Sequence, residues 1–519
     1  MMSENEVRLT GELRLAHLEI KLLRQKLDAL ARRLFGTSSE KLNPAQMQLL
    51  LEGLEEIAVV EAQPPGPMPP LPAEPGKTAV ERAARRPRLP EHLPVKETVL
   101  DPEEVKAQPE NWIRIGEEIS EQLDYTPASF VRLRLVRPKY VSKERRDLPP
   151  VIAPLPASLQ ERCLAAPSLL AHCMVSRYRD HLPWHRLEQI YAGLGVELSR
   201  QTLCNWSGMA AGAVQLVVKQ IAAEVFADGY VQIDETPVEY LSPGNGKTKN
   251  GYLWVAHHPG TKTVVFHWRT SRAAQCLHEI VPAGFAGTLQ CDGYSAYNSF
   301  AQSPERKGCV RLAGCWAHVR RGFFEAREYS RDAAWVLERI QNLYAVEERL
   351  RNSRAGPEQR QSLRHQESRP VVEELHTQLL HWHQSHTHLP KSLTGEAIRY
   401  ALGQWHTLTA FMEDGRLEID NNLVENAIRP SAVGKKNWLF VGDAGAGDRA
   451  AAFYTLIGNC RQHGADPYAY LLDLFTRLPS MTNRQIAEMT PAAWAARAKP
   501  TVPHVQAAPC QVPAEVCLA

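Results

Sequence analysis

Residues 229–241, GYVQIDETPVEYL, set Asp234 inside a run of β-branched and aromatic residues. Such a run reads as a strand. Within it, behind Val231 and Ile233, a carboxylate is expensive unless it is paired, hydrogen-bonded or bound to metal. Downstream, GYLWVAH (251–257) and KTVVFHW (262–268) repeat the pattern across polar turns such as SPGNGKTKN (242–250), so a three-strand antiparallel meander is predicted. A helix is expected around 272–280, then an apolar strand, GTLQCDG (287–293), that reaches Asp292, then Tyr294 to Phe300 and a further strand near Val310. Three strands, a helix and further strands are the order of an RNase H-like core, in which the positions of Asp234 and Asp292 are neighbours.

A third acid must reach this pair from a later helix. The candidate is Glu425 in EIDNNLVENAIRP (418–430), where Asn422 to Ile428 can form one or two turns anchored by Leu423, Ala427 and Ile428. Phosphodiester cleavage and strand transfer need one metal to activate the attacking water or 3′-hydroxyl and another, about 3.5–4 Å away, to stabilise the leaving oxygen. Magnesium prefers hard carboxylate oxygens and keeps some water, so three acids and a phosphate oxygen suffice. Each acid alone reads better as a surface or capping residue, since carboxylates at strand ends are common; the conjunction points to chemistry.

Upstream, HRLEQIYAGLGVELSRQTLCNW (185–206) has a helix-turn-helix signature. Leu187, Ile190 and Tyr191 give one buried face, Gly195 permits a sharp turn, and Ser199 can cap a second helix. That helix presents Arg200, Gln201, Thr202 and Asn205, side chains suited to a major groove. Paired helices of this kind also occur without any ligand. Between about Gly116 and Val141 the sequence alternates as in a strand pair, with Arg132, Arg134, Arg137 and Lys139 on or near an outer surface. That arrangement fits a phosphate backbone and fits edge protection equally. Residues 61–94 are rich in proline and read as a semi-extended linker with a basic end. From Val7 to Leu34, apolar residues recur at four- and three-residue steps, the pattern of an amphipathic helix or short coiled coil.

Asp292 and Glu425 stand 133 positions apart. An inserted helical subdomain over about 330–415, rich in Leu, Gln, Glu, Arg and His, accounts for the gap. Before it, GCWAHVRR (314–321) spaces Cys315 and His318 as CxxH; a packed cysteine and a hydrogen-bonded histidine is the simpler reading than a zinc site. Arg320 and Arg321 are candidate phosphate contacts. So are Arg429, Lys435 and Lys436, with Trp438 either stacking on a substrate strand or belonging to the core.

The 519 residues exceed what one hydrophobic core usually organises, so several domains are expected. Lys plus Arg number 60 against 58 Asp plus Glu, which leaves any nucleic-acid surface to local clustering. There is no run of about 18 apolar residues and no signal-peptide core in MMSENEVRLTGELRL, so a cytoplasmic protein, nucleoid-associated when bound to DNA and without a membrane partner, is expected. The ten cysteines are expected as reduced thiols.

Several collinear blocks, among them YRDHLPWHRLEQIYAGLGVELSRQTLCNW, QIDETPV, QCDGYSAYN, GCWAHVRRGFFEA, EIDNNLVENAIRP and KNWLFVGDAGAGDRAA, resemble the TnpC-type transposases of the insertion-sequence-66 family. The resemblance runs from about Leu34 to Leu478. It implies a DDE transposase in which Asp234, Asp292 and Glu425 hold two Mg2+ ions, with Mn2+ as a substitute. It also implies binding to terminal inverted repeats and target DNA, a homo-oligomer on DNA, and accessory proteins from the same element. Family members often carry paired CxxC motifs flanking the IGEE-to-VRPKY region; here VKAQPENW (105–112) and VSKERRDLPP (141–150) contain no cysteine, so no zinc is predicted.

The fold class expected is thus α+β and multidomain. The segments are an N-terminal helix or coiled coil (1–60), the linker (61–94), a small β-rich domain (95–155), a helix-turn-helix region (156–222), an RNase H-like mixed α/β core with its all-α insertion (223–478) and a C-terminal extension (479–519). Two functions compete: an active transposase, and a catalytically inactive DNA-binding descendant of one. A nuclease that cleaves without joining is a third.

Overall fold

The computed structural model describes residues 163–242 and 247–497, together with Ile20 and residues 129–133, 135, 139–140, 151–152 and 155–161. The expected coiled coil and the proline-rich linker lie outside these, as does nearly all of the small β-rich segment. What is described of that segment includes one antiparallel pair, β1 (Lys139–Tyr140) with β2 (Val151–Ile152).

The centre is a five-stranded mixed sheet in the order β5-β4-β3-β6-β7. Its strands are β3 (Tyr230–Leu241), β4 (Thr248–His258), β5 (Thr263–Arg269), β6 (Gly287–Gln290) and β7 (Val310–Ala313). The first three form the expected meander, while β3 with β6 and β6 with β7 are parallel. Parallel neighbours require a crossover. Helices α5 (Ala274–Ile280) and α6 (Ser295–Ala301) lie on those connections.

Helices cover the sheet. Upstream are α1 (Pro167–Tyr178), α2 (Trp184–Gly193), α3 (Arg200–Ala213) and α4 (Gln215–Val225). Helices α2 and α3 meet at Gly195, whose φ of +80° is one that glycine adopts freely, and Ser199 Oγ caps α3 by accepting from the Thr202 amide at 3.2 Å. Leu187 and Tyr191 are buried as expected, but Ile190 is exposed.

After β7 come α7 (Trp316–Ala326), α8 (Arg331–Asn352), α9 (Pro357–Leu363), a π-helical turn (Arg364–Ser368), α10 (Arg369–Gln384), α11 (Leu393–Gly403) and α12 (Trp405–Leu408). The apolar faces of α7, α8, α10, α11 and α12 form one core, including Phe323, Ile340, Leu375 and Ile398, that also takes in Tyr230 of β3. The helical block is therefore packed into the sheet's own core.

The chain returns through α13 (Asn422–Trp438) and α14 (Ala444–Gln462), followed by α15 (Pro467–Arg477) and α16 (Pro491–Arg497). Helix α14 closes the β5 edge. Asn459 Oδ1 accepts from the Val264 amide at 3.0 Å, and Thr455 Oγ1 from that of Phe266 at 2.9 Å, so the edge offers no free ladder donors there for another chain.

Candidate active site

Asp234 pairs with Val255 across β3 and β4. The parallel register between β3 and β6 matches Gln232 with Gln290 as its last pair, and Asp234 and Asp292 each follow that pair by two residues. Asp292 itself lies two residues beyond the end of β6, where its Oδ1 accepts from the Tyr294 amide at 2.9 Å. Asp234 thus lies within β3, and Asp292 just past the carboxyl end of its parallel neighbour β6, the two strands being about 4.8 Å apart in such a sheet.

Glu425 enters from the first turn of α13, where the helix dipole favours a carboxylate. This helix is longer than the one or two turns expected. It runs for 17 residues through Pro430 because Val424, Ile428, Ser431, Gly434 and Trp438 form a buried stripe at helical spacing. Val424, fully buried, anchors the first turn in place of Leu423, which is exposed. Trp438 is buried as well and belongs to the core.

The Asp234 carboxyl senses the other two. Burial, then the neighbouring Glu235, and then Asp292 and Glu425 push the Asp234 carboxyl up to about 8. A group so placed binds a proton or a cation. Glu425 Oε1 is buried without a hydrogen-bond donor. Three carboxylates are the hard oxygen donors that a divalent metal prefers, but the oxygens of Asp234, Asp292 and Glu425 do not gather within 4.8 Å of one another. A cleft of about 290 Å³ opens at Asp292, lined also by His318, Glu325, Glu396 and Tyr400.

A second carboxylate escaped sequence reasoning. Glu235 has a fully buried side chain held by Arg272 and Tyr297. Burial raises its pKa, opposed by those hydrogen bonds and by the Arg272 charge. Arg272 in turn lies over the Tyr294 ring, 3.8 Å from its centroid, so one network braces both aspartate-bearing segments. The signal was the acid following Asp234, but its partners lie 37 and 62 residues away.

Cys315, His318 and Glu425 place one ligand atom each within 4.8 Å of the others. Burial pushes the Cys315 thiol up to about 12, so it is protonated at neutral pH. Zinc binds the thiolate, and closed structural sites have four ligands. His318 Nε2 approaches Glu425 Oε1 at 3.8 Å; burial, the main effect, lowers its pKa, while the Glu425 charge raises it.

Of the basic residues, Arg321 is exposed and reaches Glu425 at 3.9 Å. Arg320 is exposed above Phe324. Arg429 and Lys436 are exposed on α13, and Lys435 donates to the Pro237 carbonyl at 3.2 Å, beside the strand that carries Asp234. Arg200, Gln201 and Asn205 are exposed on α3, with Gln201 donating to Asn205 at 2.9 Å, while Thr202 is half-buried beneath the cap.

No helix among the described residues is long and apolar enough to cross a membrane. The chain is similar to two proteins of Sinorhizobium fredii (strain NBRC 101917 / NGR234). One is the uncharacterized protein y4qI, 35% identical over 87% of this chain and 85% of that protein. The other is the uncharacterized protein y4jD, 32% identical over 91% and 94%. Residues 22–98 match a family model described as Transposase C of IS166 homeodomain, and residues 455–492 one described as IS66 C-terminal element. The model described as Transposase IS66 family matches residues 162–449, from the first helices through all three acids, and the chain belongs to that family.

Proposed function

We propose that this protein is an active DNA transposase whose core, RNase H-like in its strand order, binds the ends of its element and catalyses their cleavage and strand transfer. The observation that carries this reading is the placement of three acids: Asp234 on β3, Asp292 just past its parallel neighbour β6, and Glu425 in the first turn of α13, whose Val424 amide is bonded to Gln232 of β3. Asp234, Asp292 and Glu425 would hold the divalent metals, Mg2+ or Mn2+. Those ions supply an activated water or 3′-hydroxyl and charge neutralisation at the leaving oxygen. The protein's part is to hold the three acids together and to exclude other ligands from the cleft. Arg320, Arg321, Arg429, Lys435 and Lys436, on the two helices beside Glu425, are proposed to hold the phosphate backbone. Arg200, Gln201, Thr202 and Asn205 are proposed to contact the terminal repeats, with DNA-bound oligomers and accessory proteins completing the assembly.

The test is Mg2+-dependent nicking and joining of DNA that carries the element's terminal repeats. Asp234→Asn and Glu425→Gln should abolish both reactions and spare DNA binding. Binding without cleavage by the native chain, with accessory proteins supplied, would favour an inactive DNA-binding descendant; cleavage without joining would favour a nuclease.

A further inference from the structure

Gln232 and Gln290 are fully buried polar side chains that this chemistry does not use. Each stands two residues before an aspartate of the site, and the two are paired in the β3–β6 register. Gln232 Nε2 donates to Gln290 Oε1 and to the Asp420 carbonyl, both at 2.9 Å. Its Oε1 accepts from the Val424 amide at 3.2 Å. Gln290 Nε2 donates to the carbonyls of Glu418 at 2.7 Å and Gly314 at 3.1 Å. Tyr230 completes the set, its hydroxyl donating to Gln290 Oε1 at 2.6 Å and accepting from the Glu418 amide at 3.0 Å.

All but one of the bonds that leave the two strands end on residues 418–424, the segment that delivers Glu425. We propose that Gln232 and Gln290 are positioning residues, an amide clamp that fixes the entry of α13 against β3 and β6 and so sets Glu425 beside Asp234 and Asp292. Burying two amides is costly unless they are bonded, and apolar residues would fill the space. The third acid arrives 133 positions after the second, and repulsion from the aspartates opposes its approach while no cation is bound. A device that holds it there has to come from the sheet, and these two side chains reach across.

The inference rests on the three-acid reading, and the experiment separates the two. Mn2+ binding to the full chain without DNA would be measured by electron paramagnetic resonance, together with amide exchange in the metal-free protein. The proteins compared are the native chain, Asp234→Asn, Gln232→Met, which keeps length but loses every amide bond, and the milder Tyr230→Phe. Asp234→Asn should lose the site. Gln232→Met should weaken Mn2+ affinity about 10- to 100-fold, the range for residues that orient metal ligands, and speed exchange at 418–425 while β4 stays protected. Tyr230→Phe should shift both in the same direction by less. Native affinity in Gln232→Met, or in Tyr230→Phe where Gln232→Met does not fold, overturns the clamp and leaves the three-acid site standing. Absence of Mn2+ binding by the native chain overturns both.

Discussion

His318 Nε2 lies 3.8 Å from Glu425 Oε1, a buried carboxylate oxygen with no hydrogen-bond donor. The imidazole is thus placed, with Arg321 at 3.9 Å from the other oxygen, to orient the third acid, and it also lines the cleft at Asp292. His318→Ala should slow single-turnover cleavage about 10- to 100-fold, as removal of a group that orients a metal ligand does, with DNA affinity unchanged. Cys315→Ala should retain near-native cleavage, as expected of a buried thiol that serves packing. Equal losses in both variants would instead identify a metal bound through Cys315, His318 and Glu425.

The Asp234 carboxyl, raised from an unfolded value near 3.8 to about 8, makes stability depend on pH in a defined direction. Between those values the folded chain binds a proton that the unfolded chain lacks, so this group's contribution falls as pH rises through the window. The metal-free protein should therefore melt lower at pH 9 than at pH 6. Asp234→Asn should flatten that dependence, and Mg2+ should raise the melting temperature more at pH 9. A dependence that is identical in native protein and variant would remove Asp234 as its source.

The ion pair between Arg272 and Glu235 joins a fully buried carboxylate to a partly exposed guanidinium. Removing the cation leaves the acid with only the Tyr297 hydroxyl. Arg272→Met should cost about 2 kcal/mol by chemical denaturation, below the usual penalty for unpairing a buried charge because solvent screens Arg272. Restoring neutrality with Arg272→Met/Glu235→Gln should recover part of that loss. No recovery in the double variant would show that packing of Arg272 on Tyr294, and not the charge, is what matters.

The strands of the site were legible because β-branched runs between polar turns carry their own signature, and Asp234 and Asp292 were conspicuous as acids within or just after such runs. Glu425 was legible only as an acid near a helix start. The length of α13 was hidden by Pro430 and Gly434, which read locally as breakers; the stripe from Val424 to Trp438 against the sheet overrides them. Ile190 and Leu423 were misplaced because apolar periodicity does not say which of two adjacent residues faces the core. Glu235, Gln232 and Gln290 could not be read as parts of networks, since, the Tyr230 hydroxyl beside Gln232 apart, their partners lie between 24 and 192 residues away.

The glycine-rich GDAGAGD stretch (442–448) looks like a loop for binding phosphate, yet the packing gives one of its glycines a different task. A Cβ at Gly447 would fall 2.1 Å from the Trp268 ring, whereas one at Gly445, two residues earlier in α14, would meet only Asp443 Oδ1 at 3.6 Å. The indole also leaves no room at Gly251 on β4, where a Cβ would lie 2.3 Å from it. Trp268 is thereby clasped between strand and helix. Gly447→Ala should destabilise the fold by about 1–3 kcal/mol, the usual cost of overpacking, while Gly445→Ala, exposed in the first turn, should be neutral or stabilise by up to about 1 kcal/mol through helix propensity. Thermal melts of the two variants decide the matter. If Gly447→Ala melts like the native chain but loses affinity for DNA, the stretch serves the nucleic acid; a lowered melting temperature confined to Gly447→Ala assigns it to the clasp on Trp268.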